Sequence, residues 1–311
     1  MSNSVISHLS EYIYGSLIKN REAVFGFSIL YILLYHSGFT PLFGRGYIGV
    51  DLFLFLSAFG CSFSLKKYTL LQFYLRRLNR VYPLFVISNL LKWCIGRYNG
   101  ERLGVWDSVC DISGLTFWGM GGRHLLWFIP SLILLYIFTH PPLYRMFNKF
   151  GNKSFCVVAI LSFLVMMLFR NMDWHYACLV SRIPVFSLGL LYFIHKGNIQ
   201  KLSFPLLLCV GLQELTVANG LKFATATFYA PVLLLSLCFI LDNLLQPRIV
   251  KFLCWFGSKS LECFIGNGMV TTLVFTASPF QRGAYYILAN IVWIFVFVWI
   301  NKILPANKKA I

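Results

Sequence analysis

Ten apolar runs alternate with short polar segments along the chain. Each run is roughly 17 to 22 residues long, which is the length that an α-helix needs to cross about 30 Å of hydrocarbon. The pattern therefore predicts an all-α, polytopic membrane protein with about ten transmembrane helices. The predicted spans are 23–39, 47–65, 81–96, 124–141, 154–170, 179–195, 203–220, 223–241, 260–277 and 284–303.

Two further segments have helical character without the length of a span. Residues 68–80 place apolar and basic side chains at helical spacing, which predicts an amphipathic helix on the cytoplasmic face that leads directly into the third span. Residues 105–118 are apolar, with Asp107 and Asp111 one helical turn apart. We expect this second segment to lie at the outer membrane interface.

Composition supports the membrane prediction and charge gives it an orientation. The chain is 58% hydrophobic and only 12% charged over 311 residues, which a soluble globule cannot accommodate. The net charge of +17 is spread between the runs instead of clustered, so we do not expect nucleic acid as a partner. Eighteen of the 27 Lys and Arg residues fall on one side and eight on the other, which predicts cytoplasmic N- and C-termini.

These features predict one integral-membrane domain over 1–311, with its core at about 20–303, in contact with membrane lipids. Its nine cysteines include no C-x-x-C pair, so neither a disulfide framework nor a metal site is predicted.

His36 ends the first span and Asp51 opens the second. Ionisable groups are costly in a bilayer, so those that occur there usually have a function. A carboxylate that accepts the N–H of one imidazole nitrogen leaves the other nitrogen as a general base. The alternative is that His36 is an interfacial residue and Asp51 a helix cap.

Basic side chains provide two further candidate sites. Arg76, Arg77 and Arg80 can hold the phosphates of an anionic cytoplasmic ligand, or they are ordinary anchors on the cytoplasmic side. Arg182 lies inside a span, where arginines normally face a cavity or an acidic partner. Glu214, in the middle of the seventh span, is the candidate partner, or it faces the same cavity.

Several stretches occur in the order and spacing of a known family, and together they cover about residues 20–303. They are His36, Gly49 to Phe53 with Leu56 to Phe59, Phe73 to Pro83, Leu126 to Pro130 with Leu135 and Tyr136, Arg182 with Phe186 and Gly189, and Phe256 to Glu262. In these stretches the chain resembles the membrane-bound acyltransferase family 3, of the surface polysaccharide O-acetyltransferase type.

The resemblance implies an enzyme that moves an acyl group, usually acetyl from acetyl-CoA, to a hydroxyl of a cell-surface or lipid-linked carbohydrate, with no metal. It implies that His36 is the catalytic base and that Asp51 orients it. It also implies a coenzyme A site and a substrate cavity. Arg77 and Arg80 would bind the coenzyme A phosphates, and Arg182 would line the cavity. The further candidates are Arg76 for the coenzyme A site and Glu214, Trp127, Tyr136, Asn267 and Arg21 for the cavity. The resemblance also implies a location in the inner membrane of a bacterial cell.

The chain departs from the family pattern at two positions. The arginine usual eleven residues before the histidine is replaced by Phe25, and Arg21, one turn earlier, is the candidate substitute. The second histidine common near the C-terminus is replaced by Asn267. We therefore expect His36 to be the catalytic histidine, with His124 as the next candidate.

The acceptor leaves alternatives open. An acyltransferase that acts on a small metabolite, peptidoglycan or a lipid headgroup would use the same residues. A non-enzymatic component of a polysaccharide flippase would instead show charged residues spread over many spans or a long outer loop, and neither is clear in this sequence.

Overall fold

A computed structural model describes residues 3–38, 46–101, 104–116, 127–138, 142–168, 174–220, 229–274 and 279–304. These residues form thirteen α-helices and no strand, which confirms the all-α prediction for this part of the chain. The helices are α1 Asn3–His36, α2 Ile48–Lys67, α3 Leu70–Tyr98, α4 Val105–Ser113, α5 Phe128–Phe138, α6 Tyr144–Phe150, α7 Asn152–Leu168, α8 Trp174–Ile194, α9 Ile199–Ala218, α10 Ala230–Asn243, α11 Pro247–Ser258, α12 Ser260–Val274 and α13 Pro279–Ile303.

Each of the ten predicted spans overlaps one helix, and the chain is a membrane protein. Among the described residues, four helical stretches are both long and apolar enough to cross a bilayer: Ile48–Lys67, Tyr176–Ile194, Ile199–Ala218 and Tyr285–Ile303. Three shorter apolar helices are Phe128–Phe138, Asn152–Leu168 and Val232–Asn243. Three charged residues of helix α1, Lys19, Arg21 and Glu22, lie directly before its apolar part.

Backbone contacts divide the chain into two compact units. The first comprises Met1–Ile32, Arg45–Thr69 and Leu135–Ser258, and the second comprises Leu33–Gly44, Leu70–Leu134 and Lys259–Ile311. The first unit therefore contains most of α1 together with α2 and α6 to α11. The second contains the end of α1, α3, α4, most of α5, α12 and α13.

Close helix packing in the first unit depends on glycine. A Cβ atom on Gly257 of α11 would lie 1.8 Å from the carbonyl oxygen of Glu22, and one on Gly26 of α1 would lie 1.8 Å from that of Leu253. A Cβ on Gly189 of α8 would lie 2.4 Å from the Phe55 carbonyl oxygen in α2. Helices α1 and α11, and likewise α2 and α8, therefore pack backbone against backbone, as small residues permit in membrane helices.

One polar cluster ties α1 to α10 in the first unit. The Asp242 carboxylate accepts hydrogen bonds from Lys19 at 2.7 Å, from Asn20 at 2.9 Å and from Ser16. Burial alone would raise the pKa of the Asp242 carboxyl, but these hydrogen bonds outweigh it and lower the pKa to about 2. Asp242 follows the predicted span 223–241, so the cluster ties the C-terminal end of α10 to the middle of α1 while its charges stay outside the predicted spans.

In the second unit, α3 runs without interruption from Leu70 to Tyr98, which confirms the predicted continuity of 68–80 with the third span. Gly100, at a φ of 84°, ends α3 and reverses the chain. Tyr82 then donates to the Ile112 carbonyl at 3.2 Å, and Trp93 donates to the Gly104 carbonyl at 3.3 Å. These two bonds place α4 antiparallel beside α3.

Helix α4 therefore packs along the part of α3 between Tyr82 and Trp93. The location of 105–118 at the outer membrane interface stays a prediction. Val105 and Trp106 remain 73% and 68% exposed, which suits contact with lipid along the span.

We expect Gly257→Ala to destabilise the protein, because the new methyl group would force α1 and α11 apart. Overpacking of this kind costs about 1–3 kcal/mol. Gly211→Ala in α9 is the matched control, since a Cβ there meets nothing within 4 Å and alanine is the better helix former. Thermal unfolding in detergent should show a lower melting temperature for the first variant and an equal or higher one for the second. Equal melting temperatures for both variants would show that the close contact is unimportant.

Candidate active site

His36 lies at the C-terminal end of α1, where the helix gives way to a turn. Ser37 Oγ donates to the Leu34 carbonyl at 2.7 Å, and Gly38 adopts a φ of 89° that favours glycine. The half-buried imidazole has its Nδ1 atom 2.8 Å from the side-chain amide of Asn267 in α12. Both residues belong to the second unit.

Asn267 belongs to a buried polar network formed by α12 and α13. The Tyr286 hydroxyl bonds to the Asn267 side-chain oxygen, and the Thr271 hydroxyl lies 2.9 Å from the Tyr286 hydroxyl. Thr271 Oγ1 also donates to the Asn267 carbonyl at 2.6 Å, one helical turn back. Asn290 donates to the Tyr286 carbonyl at 2.9 Å. Asn267 and Tyr286 are 2% and 3% exposed, so the His36 imidazole rests on a rigid support.

Asp51 and Arg182 form a buried ion pair in the first unit. Arg182 Nε lies 3.1 Å from Asp51 Oδ1, and the two side chains are 3% and 0% exposed. Arg182 Nη1 also donates to the Cys178 carbonyl at 3.0 Å and to Ser181 Oγ at 3.3 Å. The pair joins α2 to α8 next to the close helix contact at Gly189.

The structure gives Arg182 a different partner from the one that the sequence suggested. Glu214 was the candidate because it is the acidic residue of the seventh span. It lies instead on an exposed face of α9, where it accepts a hydrogen bond from Tyr229. Asp51 takes the place expected for Glu214, because α2 packs directly on α8.

His36 and Asp51 each have a partner within their own unit. The described partner of the His36 ring is Asn267, and that of the Asp51 carboxylate is Arg182. The predicted hydrogen bond from His36 to Asp51 is not among the described contacts. The orienting role of Asp51 therefore stays a prediction, and within the second unit Asn267 contacts the imidazole.

Arg21 occupies a groove next to the position where the family arginine is missing. Its guanidinium lies 5.3 Å from the centre of the Phe25 ring, and Phe25 packs on Phe53 at 4.6 Å between ring centres. A Cβ on Gly60 would lie 2.7 Å from Arg21 Nη2, so the guanidinium rests on the backbone of α2. Arg21 is thus held toward Phe25, in the direction of the C-terminus of α1.

The three arginines at the start of α3 differ in burial, and one of them packs on a buried aromatic ring. Phe73 is fully buried, and the half-buried Arg77 places its guanidinium 5.7 Å from the centre of that ring. Arg76 and Arg80 are exposed and lie one helical turn apart. The guanidinium groups therefore combine a packed side chain with two accessible ones, which suits an anionic ligand.

Trp127 and Tyr136, the predicted aromatic cavity residues, lie at the two ends of α5. Trp127 is half-buried and packs edge-on against Phe128, whose ring in turn lies 5.0 Å from that of Phe264 in α12. Tyr136 is 6% exposed and belongs to the first unit, whereas Trp127 belongs to the second.

A family model described as an acyltransferase domain, that of acyltransferase family 3, matches residues 5–302, nearly the whole chain. The chain belongs to acyltransferase family 3. No curated protein and no solved structure gives a significant match.

Contacts in the structure explain the positions of two residues that the sequence comparison with the family had singled out in this acyltransferase. Gly257, in the stretch from Phe256 to Glu262, is the glycine that lets α11 pack on α1. Asn267, at the position of the second histidine, reaches His36 directly. The residue at which the sequence departs from the family pattern, Asn267, is therefore in direct contact with the candidate base His36.

Sequence reasoning missed two members of the network of this acyltransferase. Thr271 follows Asn267 at helical spacing in an apolar run, and that spacing was a usable signal. Tyr286 gave none, because tyrosine is ordinary near a membrane interface. The second candidate histidine, His124, lies outside the described residues. Within the described stretches, no group of three or more His, Cys, Asp or Glu side chains is arranged to hold a metal ion.

We expect the Asp51–Arg182 pair to be strongly coupled. Asp51→Asn leaves the buried Arg182 charge without its partner, and Arg182→Met leaves the buried Asp51 charge without its partner. Either loss costs about 3–5 kcal/mol. The double variant should lose much less stability than the sum of the two single variants. Melting temperatures in detergent, with Glu11→Gln at an exposed carboxyl of α1 as the control, measure this coupling. Additive losses would contradict it.

Proposed function

We propose that this acyltransferase moves an acyl group, acetyl from acetyl-CoA, to a hydroxyl of a cell-surface or lipid-linked carbohydrate, with His36 as the general base. Membership of acyltransferase family 3 supports acyl transfer. The observation that carries the role of His36 is its 2.8 Å contact with Asn267, which engages Nδ1 through a buried network. Among the described residues Nε2 has no hydrogen-bond partner, so it is the nitrogen available to a substrate.

The chemistry requires a base and no metal. A sugar hydroxyl is a weak nucleophile until a base shares its proton, and a thioester is reactive enough to be attacked directly. In the proposed step His36 Nε2 accepts the hydroxyl proton while the oxygen attacks the thioester carbonyl. The carbon–sulfur bond then breaks, the acyl group stays on the sugar oxygen, and the coenzyme A sulfur leaves as a thiolate that takes up the proton.

The arginines at the start of α3 are the proposed site for the phosphates of the donor. Guanidinium groups form paired, charge-assisted hydrogen bonds with phosphate oxygens. Contact with Phe73 restricts the Arg77 side chain before any ligand binds. A restricted side chain loses less conformational entropy on binding, which favours Arg77 as the central contact.

Other roles stay predictions. Asp51 as a group that orients His36, Arg21 as the substitute for the missing arginine, and a substrate cavity that includes Arg182, Glu214, Trp127 and Tyr136 are supported by the family resemblance. The family resemblance also supports a location in the bacterial inner membrane, with ten spans and both termini in the cytoplasm. The ten helices that overlap the predicted spans and the charge asymmetry support this topology.

We expect His36→Ala to reduce turnover of labelled acetyl-CoA by the purified protein by roughly 10²–10⁴-fold, the usual contribution of a general base. The KM for the donor should change little, because the imidazole acts on the acceptor. His8→Ala, which removes an exposed histidine from the same helix, is the matched control. Unchanged turnover in His36→Ala would rule out the general-base role.

The combined change Arg77→Ala and Arg80→Ala should raise the KM for acetyl-CoA by roughly tenfold per lost phosphate contact, since hydrogen bonds to charged groups contribute about 1.5–3 kcal/mol. Melting temperature should fall only slightly, because Arg80 is exposed and the half-buried Arg77 loses one cation–π contact worth about 0.5–1 kcal/mol. Arg248→Ala with Lys251→Ala, on the exposed face of α11, is the control for general loss of positive charge. An equal rise of KM in both double variants would indicate anchoring instead of a specific site.

The acceptor is open to direct identification. Mass spectrometry of surface glycans from cells with and without this protein should show an acetyl-sized mass difference on one sugar. An acetyl group found on a small metabolite or a lipid headgroup instead would favour the alternative substrates.

A further inference from the structure

Four polar contacts connect His36 and the residues that support it. We call the residues that make these contacts the His36 network: His36, Asn267, Thr271 and Tyr286. The contacts run from His36 Nδ1 to the Asn267 amide, from that amide to the Tyr286 hydroxyl, from Tyr286 to the Thr271 hydroxyl, and from Thr271 to the Asn267 carbonyl. Each contact needs one hydrogen, and each hydroxyl has only one to donate. The number of hydrogens therefore limits how the network can be arranged.

With the amide nitrogen of Asn267 toward His36, one contact has no hydrogen. Tyr286 must then donate to the Asn267 side-chain oxygen, and Thr271 must donate to the backbone carbonyl, because neither of these oxygens carries a hydrogen. The Thr271 and Tyr286 hydroxyl oxygens remain 2.9 Å apart with no hydrogen between them. Two oxygen lone pairs would face each other in a buried site.

With the amide turned by 180°, every contact has its hydrogen. His36 Nδ1–H donates to the Asn267 oxygen, the Asn267 nitrogen donates to Tyr286, Tyr286 donates to Thr271, and Thr271 donates to the Asn267 carbonyl. The two ends of an asparagine amide have nearly the same shape, so hydrogen bonding and not packing decides its orientation.

Burial makes the difference between the two arrangements large. Asn267, Tyr286 and Thr271 are 2%, 3% and 8% exposed, so water contributes little to any contact that lacks a hydrogen. Asn290 donates to the Tyr286 backbone carbonyl at 2.9 Å, so this contact does not use the Tyr286 hydroxyl hydrogen.

We infer that Asn267, supported by Tyr286 and Thr271, is a positioning residue that holds His36 as the tautomer with hydrogen on Nδ1. In this tautomer Nε2 carries a lone pair and is able to accept a proton. The opposite tautomer would present Nε2–H to a substrate and could not act as a base. The catalytic meaning rests on the proposed function, whereas the tautomer is a property of the resting protein.

The tautomer is measurable without any assay of activity. Nitrogen-15 NMR of the full-length protein, labelled at histidine and embedded in lipid, separates ring nitrogens that carry hydrogen from those that do not. The chain has six histidines, and subtraction of the spectrum of His36→Gln assigns the signals of His36. The neutral ring should carry its hydrogen on Nδ1. A hydrogen on Nε2 would overturn the inference whether or not the protein transfers acyl groups.

Two substitutions at Asn267 separate positioning from packing. In Asn267→Asp the carboxylate still accepts Nδ1–H, so turnover should stay within a few-fold of wild type. Activity should fall off at a higher pH on acidification, because a negative charge favours the protonated imidazole. Asn267→Leu fills the same space without any acceptor, and turnover should fall by roughly 10–100-fold with the donor KM unchanged.

Asn89→Leu is the matched control, since Asn89 is similarly buried in the second unit and, among the described residues, donates to the Phe85 carbonyl of its own helix. Tyr286→Phe should give a mixture of tautomers, because the Asn267 nitrogen loses its acceptor. If Asn267→Asp is as inactive as Asn267→Leu although its melting temperature is that of wild type, Asn267 must donate to His36 and the inference is wrong. If wild-type protein transfers no acyl group, the proposed function fails while the NMR result still decides the tautomer.

Discussion

A polar group buried in this protein is costly to leave without a partner, because water does not reach it and lipid tails form no hydrogen bonds. Asp51 and Arg182 meet this constraint as an ion pair at 3.1 Å with almost no exposure to solvent. His36 meets it through Asn267 at 2.8 Å. Unpaired, each of these groups would cost several kcal/mol. The requirement therefore selects which helices pack together, and it also sets the hydrogen-bonding state of the groups that remain for chemistry.

The same constraint separates support from reactivity. In the first unit it produces the Asp51–Arg182 ion pair between α2 and α8, the two helices that Gly189 allows to pack closely. Neither charged group extends toward solvent. In the second unit it produces an open-ended network, in which a chain of buried side chains ends at a half-buried imidazole with one nitrogen unused among the described contacts. An open end of this kind is what a general base requires: a fixed orientation on one side and access on the other.

Much of this could be predicted from the sequence, because run length and composition are local properties. Hydropathy located the helices, and the cost of burying ionisable groups singled out His36, Asp51 and Arg182. The partners could not be read in the same way. Glu214 and Asp51 are both acids within predicted spans, and only helix packing gives Arg182 to Asp51. The antiparallel packing of α4 on α3 follows a reversal of the chain near Gly100, which hydropathy does not register.

The most direct measurement is a structure of the protein with a non-hydrolysable acetyl-CoA analogue. We expect the acyl carbonyl carbon within about 6 Å of His36 Nε2, which leaves room for one hydroxyl oxygen between them, and the donor phosphates on Arg77 and Arg80. An acyl group bound beyond that reach, or against Nδ1 in place of Asn267, would contradict the assignment of His36 as the base.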